Sequence, residues 1–170
     1  QVWAVGSAVS TTFEGQVYWD DHSYYSGMGT GCAATSASVD ARGGLWVGYA
    51  CESGQPGGLM YWAMAQGRWR GYEQALNPLL PSQIYWTHTD QNGTVWVGGD
   101  DAVIWKDPES PWRRLDIAGV QVRAVQEPGA DGLIWLGTDQ GVVAVSQTTG
   151  AIQAHLRIPA PAIPPNVLDV

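Results

Sequence analysis

Few residues of this chain have the types and spacing that chemistry needs. Its two cysteines are Cys32 and Cys51. A hairpin turning between Ala41 and Arg42 would set them opposite one another unless a bulge intervenes, within reach of a disulfide. Such a bond would stabilise by roughly 3 kcal/mol through loop closure. It would also place the protein outside the reducing cytosol. The alternative is two buried thiols. A zinc site is not expected, because no second Cys or His flanks either cysteine.

The three histidines are His22, His88 and His155. Each is expected to be an ordinary polar residue. A lyase would need a His beside a carboxylate, and His88 with Asp100 or Asp139 is the combination that such chemistry would use. Glu52, Asp100, Asp101 and Asp139 fall on tight connections. If those connections gather at one end of the molecule, the acids form a candidate ligand-binding rim, for a cation such as calcium or for hydroxyl groups. The competing reading is that Asp simply favours tight turns. Trp19, Tyr24, Tyr25, Tyr61, Trp62 and Trp69 cluster in the first half. They either stack on sugar rings or pack between sheets. No catalytic residues and no resident metal are expected.

Composition narrows the scaffold that positions these residues. The 170 residues suit one domain. They include 22 Gly, 10 Trp and a single Phe, with only 14% charged and 45% hydrophobic. That mixture suits short strands and tight turns, not helices, and it can bury a core. The net charge of −8 opposes nucleic-acid binding, which needs a basic surface to displace counterions. No segment reaches the length of a membrane-spanning helix, so direct membrane insertion is not expected. No signal-peptide pattern opens the chain, which begins at Gln1; either a leader has been removed or the chain is a piece of something longer.

One phrase recurs. DARGGLWVG (40–48), DQNGTVWVG (90–98) and GADGLIWLG (129–137) align on their final Gly, with a weaker copy, WAVG, at 3–6. The closing glycines Gly6, Gly48, Gly98 and Gly137 are spaced 42, 50 and 39 residues apart, the period of a four-stranded propeller blade. Each repeat subdivides accordingly. In residues 83–115 the pattern predicts strands at 83–89, 94–99, 102–105 and 112–115, separated by Asp, Asn, Gly and Pro. In the phrase, Asp caps the turn, one Gly takes a positive φ, and the apolar-Trp-apolar segment is a strand buried on both faces. The first repeat is the poorest, with QVYWD (16–20) as a third strand and YYSGMGTG (24–31) as a weak fourth.

The pattern D-x-x-G-x-apolar-W-apolar-G resembles the two-component regulator propeller repeat, which recurs in extracytoplasmic halves of bacterial hybrid histidine kinases. Asp40–Gly48 and Asp90–Gly98 fit it fully; Gly129–Gly137 departs at Gly129, which stands where the pattern has Asp. The resemblance covers most of residues 34–158 and implies a β-propeller. It transfers no catalytic motif.

The expected fold is therefore all-β, a single β-propeller of about four blades at roughly 1–33, 34–82, 83–121 and 122–163. PPNVLDV (164–170) would supply a closing strand to the first blade. A closed four-bladed ring is favoured over an arc of a larger propeller. The expected function is a non-catalytic module, secreted or periplasmic or on the cell surface, holding a small molecule, glycan or protein partner on its loop face. The alternatives are a lectin, a structural subunit of a homo-oligomer or larger assembly, and a propeller lyase.

Overall fold

The three fuller copies of the phrase open with one turn. Asp40 N donates to Gly44 O at 2.9 Å and Gly43 N to Asp40 O at 2.9 Å, while Asp40 Oδ1 accepts from Arg42 N and Gly44 N. Asp90 repeats all four bonds with Asn92, Gly93 and Thr94. Gly43 and Gly93 sit at φ +77 and +81, a left-handed geometry that costs a glycine nothing. In the third copy Asp131 Oδ1 takes the cap instead, accepting from Leu133 N at 3.0 Å. That compensates for the missing Asp at 129.

The computed structural model describes residues 3–5, 9–13, 16–20, 31–52, 54–73, 77–126, 129, 131–146, 148–149 and 151–157. The protein is all-β and antiparallel. Strands β1 (Trp3–Val5), β2 (Val9–Phe13) and β3 (Gln16–Asp20) form a three-stranded sheet. Strands β4 (Cys32–Val39), β5 (Leu45–Cys51), β6 (Gly58–Ala63) and β7 (Arg68–Glu73) form a four-stranded one. Strands β8 (Ile84–Thr89), β9 (Val95–Lys106), β10 (Arg113–Gln126), β11 (Leu133–Thr138), β12 (Gly141–Ser146) and β13 (Ile152–Arg157) form a six-stranded one. Helix is limited, among the described residues, to one 3-10 turn at Met64–Gln66.

The six-stranded sheet is folded. Trp96 and Trp105, both on β9, stack with centroids 5.4 Å apart; a straight strand would hold them about 30 Å apart. Strand β9 must double back at Asp100 and Asp101, where Asp101 has φ 57. Strand β10 pairs first with β9 (Arg113 to Asp116) and then with β11 (Val122 to Gln126), with Gly119 at φ +76 between the two. The predicted strands at 94–99 and 102–105 are thus the two arms of β9. VSTTF (9–13), not expected to be a strand, is β2. The expected strand at 24–31 falls almost wholly outside the described residues, and the expected closing strand at 164–170 lies wholly outside. The described strands do not form a closed ring.

Register explains the disulfide. The pairs Val39↔Leu45 to Ser36↔Gly48 are centred on Arg42, not between Ala41 and Arg42. Unbroken, that register would leave Cys51 unpaired with Cys32. A bulge at Thr35 shifts it by one, and Cys32 meets Cys51. The two form a disulfide with Cα atoms 3.9 Å apart. The same bulge recurs at Tyr85 and at Arg123, each time beside the partner of a closing glycine.

Successive units touch through their first strands. Thr35 Oγ1 donates to Ile84 O (2.7 Å), Ser36 Oγ to Thr87 Oγ1 (3.2 Å), and the Ser38 and Thr89 hydroxyls lie 3.2 Å apart. Behind these contacts Trp46, Leu59, Leu80, Ile84, Val97 and Ile104 form one buried cluster. Trp96, Trp105, Val122, Val125, Leu136 and Val145 form the next. The closing glycines make this approach possible. A Cβ on Gly48 would lie 2.5 Å from Ile84 Cγ2, and one on Gly98 would lie 2.8 Å from Val122 Cγ1. The expectation that the Trp strand is buried on both faces holds for Trp46 and Trp96 (7% and 0% exposed) but not for Trp135, which is 39% exposed. No described strand covers that face.

Gly48→Ala should therefore destabilise the fold by about 1–3 kcal/mol through overpacking. Urea unfolding would show it as a lower midpoint with an unchanged slope. An unshifted midpoint would mean that Ile84 does not rest on Gly48.

Candidate functional site

The four predicted acids divide into separate roles. Asp100 N donates to Gln83 O and Asp100 Oδ2 accepts from Ser82 Oγ (3.1 Å). Asp139 N donates to Gln121 O, and Asp139 Oδ1 accepts from Gln121 N (2.8 Å). Asp101 Oδ1 accepts from Gly119 N (2.6 Å). Each aspartate thus fastens the crossing into the first strand of a unit. Glu52 directly follows β5 of the earlier sheet, its amide donating to Gly31 O. Asp100 and Asp139 both act on Tyr85, whose phenol pKa is raised by burial first and then by Asp100. Among the described residues no three His, Cys, Asp or Glu side chains gather as a metal site.

Tyr85 and Arg123, both bulge residues, meet above this acid end. The guanidinium lies 4.9 Å from the ring centroid, and Gln121 Nε2 donates to Tyr85 OH at 3.1 Å. His88 is elsewhere. Strand β8 runs from Ile84, opposite Gly99, to Thr89, opposite Val95, so His88 faces Trp96 and stacks on Trp86 (5.3 Å). The combination with Asp100 or Asp139 is not made. Of the aromatics singled out, Trp62 and Trp69 pair across strands at 5.4 Å and pack on the Leu45, Val47 and Met60 cluster. Trp19, Tyr24 and Tyr25 fall where no side chain is described.

A concave feature lies at the opposite, turn end, between the four-stranded sheet and β9 with its flanking turns. It has a volume of about 370 Å³. Trp46, Tyr61 and Tyr72 form its wall, and Arg42, Arg70, Asn92, Lys106 and Asp107 rim it. Trp46 and Tyr61 are 4.4 Å apart. A single exchange opens the cleft. In the following unit, Trp96 Nε1 donates to Asp90 Oδ2 (3.1 Å) and Trp105 stacks over it. Here Tyr61 replaces that second Trp, and its hydroxyl donates to Asp40 Oδ2 at 2.9 Å. Trp46 Nε1 is left buried, with no hydrogen-bond partner among the described residues.

No protein-family model matches the chain, and no curated protein matches it. Its fold does match solved structures. Two crystal structures of the extracellular domain of BT4673 from B. thetaiotaomicron, assigned to a hybrid two-component system in one and to a one-component system in the other, superimpose with a TM-score of 0.61 at 14% identity. The match covers 88% of this chain and 22% of that domain, so the chain spans under a quarter of its structural neighbour.

The charge of the cleft differs from that of the whole. Arg42, Arg70 and Lys106 are three of only eight Lys and Arg in a chain of net charge −8. Its two carboxylates are already engaged, Asp40 by its turn and Tyr61, Asp107 by Thr94 Oγ1 (3.0 Å) and Arg113 (3.2 Å). Among the described residues Arg70 donates to Gln66 Oε1 and Arg42 meets the exposed Glu109 at 3.6 Å, a weak tether in water. No spacing argument could find this site, because its wall and rim come from two repeats. The signal was Tyr61 standing where the next repeat carries Trp105.

Burial, then the Asp40 hydrogen bond, push the Tyr61 phenol from 10.0 up to about 12. The folded state therefore prefers the neutral phenol. Its contribution to stability is whole below pH 10 and is lost as pH rises through about 12. Phenolate absorbance should show one tyrosine titrating near pH 12 that is absent from Tyr61→Phe. Titration at the ordinary value would mean that the phenol is neither buried nor bonded to Asp40.

Proposed function

We propose that this chain is a propeller-type segment of an extracytoplasmic sensor that binds and does not catalyse. The repeat spacing, the recurrent bulge and the packing of each first strand on the preceding closing glycine support reading the sheets as consecutive blades. The disulfide and the extracellular domains that share the fold support a place outside the cytosol. No helix among the described residues is long and apolar enough to cross a membrane.

The ligand we assign is a small carboxylate with a flat or ring-shaped body, as in a uronic acid. The carrying observation is the cleft: an aromatic wall of Trp46, Tyr61 and Tyr72 facing Arg70 and Lys106, with both local carboxylates occupied. Concave, aromatic-lined spaces of this size with a few polar groups are where small ligands bind. An arginine suits a carboxylate because its fork can donate two parallel bonds. The aromatic wall favours a sugar ring as the body, which keeps the lectin reading within this proposal. The acids at the other end then serve the crossings that they fasten.

Calorimetric titration with glucuronate and with glucose tests this. Glucuronate should bind, glucose should bind at least tenfold more weakly, and Arg70→Ala should cost glucuronate about tenfold, or about 1.4 kcal/mol, with unchanged thermal stability. Equal binding of both sugars, glucuronate binding that survives Arg70→Ala, or turnover of either sugar would contradict the proposal.

A further inference from the structure

The wall of the cleft holds a buried donor that lacks an acceptor. Trp46 is 7% exposed, and its Nε1 has no hydrogen-bond partner among the described residues. Aromatic rings surround it: Tyr61 at 4.4 Å, Tyr72 at 5.7 Å and Trp112 at 5.9 Å between centroids. A buried N–H in that condition has given up water and received nothing in return. A rearrangement that supplies an acceptor is therefore favoured.

The following unit shows that arrangement. Trp96 Nε1 donates to Asp90 Oδ2 at 3.1 Å, across the same six-residue offset that separates Asp40 from Trp46. In both units Oδ1 of the aspartate is taken by its turn, so Oδ2 is the oxygen at issue. On Asp40 it is held by the Tyr61 hydroxyl at 2.9 Å. Gly44 is what admits Tyr61. A Cβ on Gly44 would overlap the Tyr61 hydroxyl oxygen and lie 2.5 Å from Cε2 of the ring. Thr94 stands at the corresponding place of the next unit, buried, with its hydroxyl on Asp107. Threonine with Trp105 leaves Asp90 to the indole, whereas glycine with Tyr61 gives Asp40 to the phenol. Tyr61 is half-buried and borders the cleft, so an occupant of the cleft meets it directly.

We propose that Tyr61 is the specificity-determining residue of the cleft and that it works by exchange. An occupant that presents an oxygen acceptor takes the Tyr61 hydroxyl, and Asp40 Oδ2 passes to Trp46 Nε1. One hydrogen bond is replaced by two, and no buried donor stays unpaired. An occupant without an acceptor at that point gains nothing from the exchange. The inference rests on the cleft being the binding site and adds how the cleft reads its ligand.

The test follows the indole N–H signals of the full, nitrogen-15-labelled chain by NMR, with Trp46→Phe and Trp96→Phe used only to assign them. A hydrogen bond to a carboxylate moves such a proton downfield. Without ligand, the Trp46 proton should resonate upfield of that of Trp96. Tyr61→Phe keeps the ring and removes the competing donor; Gly44→Ala leaves the donor but evicts it from Asp40. Each should move the Trp46 signal downfield toward that of Trp96. Glucuronate added to the wild type should produce the same shift, and it should bind Tyr61→Phe several-fold more weakly. A Trp46 signal that stays in place in both variants overturns the inference. Glucuronate that binds the wild type without moving the signal, or binds Tyr61→Phe undiminished, also overturns it and leaves the ligand reading standing. If glucuronate binds no form, the ligand reading falls and takes the ligand-driven step with it, while a moved signal in the variants still establishes the exchange at Asp40.

Discussion

The structure depends on one close approach, a first strand laid across the closing glycine of the unit before it. At Gly48 and Gly98 a methyl-bearing side chain occupies the volume a Cβ would need. Because interiors tolerate neither voids nor overlap, this contact sets the distance between sheets, and the Trp of each phrase fills the space behind it. The bulge belongs to the same device. It turns Thr35, Tyr85 and Arg123 out of the ladder beside the glycine's partner, where Thr35 bonds the next unit and Tyr85 and Arg123 meet each other.

Given fixed sheets, small exchanges within a repeat decide which gaps are solid and which are open. Trp105 closes the gap over Trp96 and lets the indole bond Asp90. Tyr61, in the same position one unit earlier, is smaller and takes the aspartate for itself. The gap becomes a cleft, and basic side chains from both units border it. The cleft is a local departure from a structural repeat, the kind of exchange by which a scaffold of similar units acquires one distinctive feature.

The turns, most strands and the repeat period were legible because Asp, Gly and alternation act over a few residues. VSTTF was not, since a short polar strand is defined by its neighbours rather than its own pattern. The cysteine pairing came out right through two offsets: the turn is centred half a residue later than its sequence suggests, and the bulge at Thr35 restores the match. The acids were legible as turn residues, but the partners they take were not, because Gly119 for Asp101 and Gln121 for Asp139 each lie 18 residues along the chain. Burial of the Trp phrase depends on what lies against it, so three similar phrases give two buried tryptophans and one exposed.

The central claim is that consecutive sheets are locked by first strand on closing glycine. The most direct measurement is proton–proton contact by NMR between the Gly48 α-protons and the Ile84 methyls, and between the Gly98 α-protons and the Val122 methyls. Both sets should be strong, alongside the within-sheet contacts of β4 with β5 and β8 with β9. Strong within-sheet contacts with both glycine contacts missing would mean that the sheets form but do not stack in this way, and the account would fail.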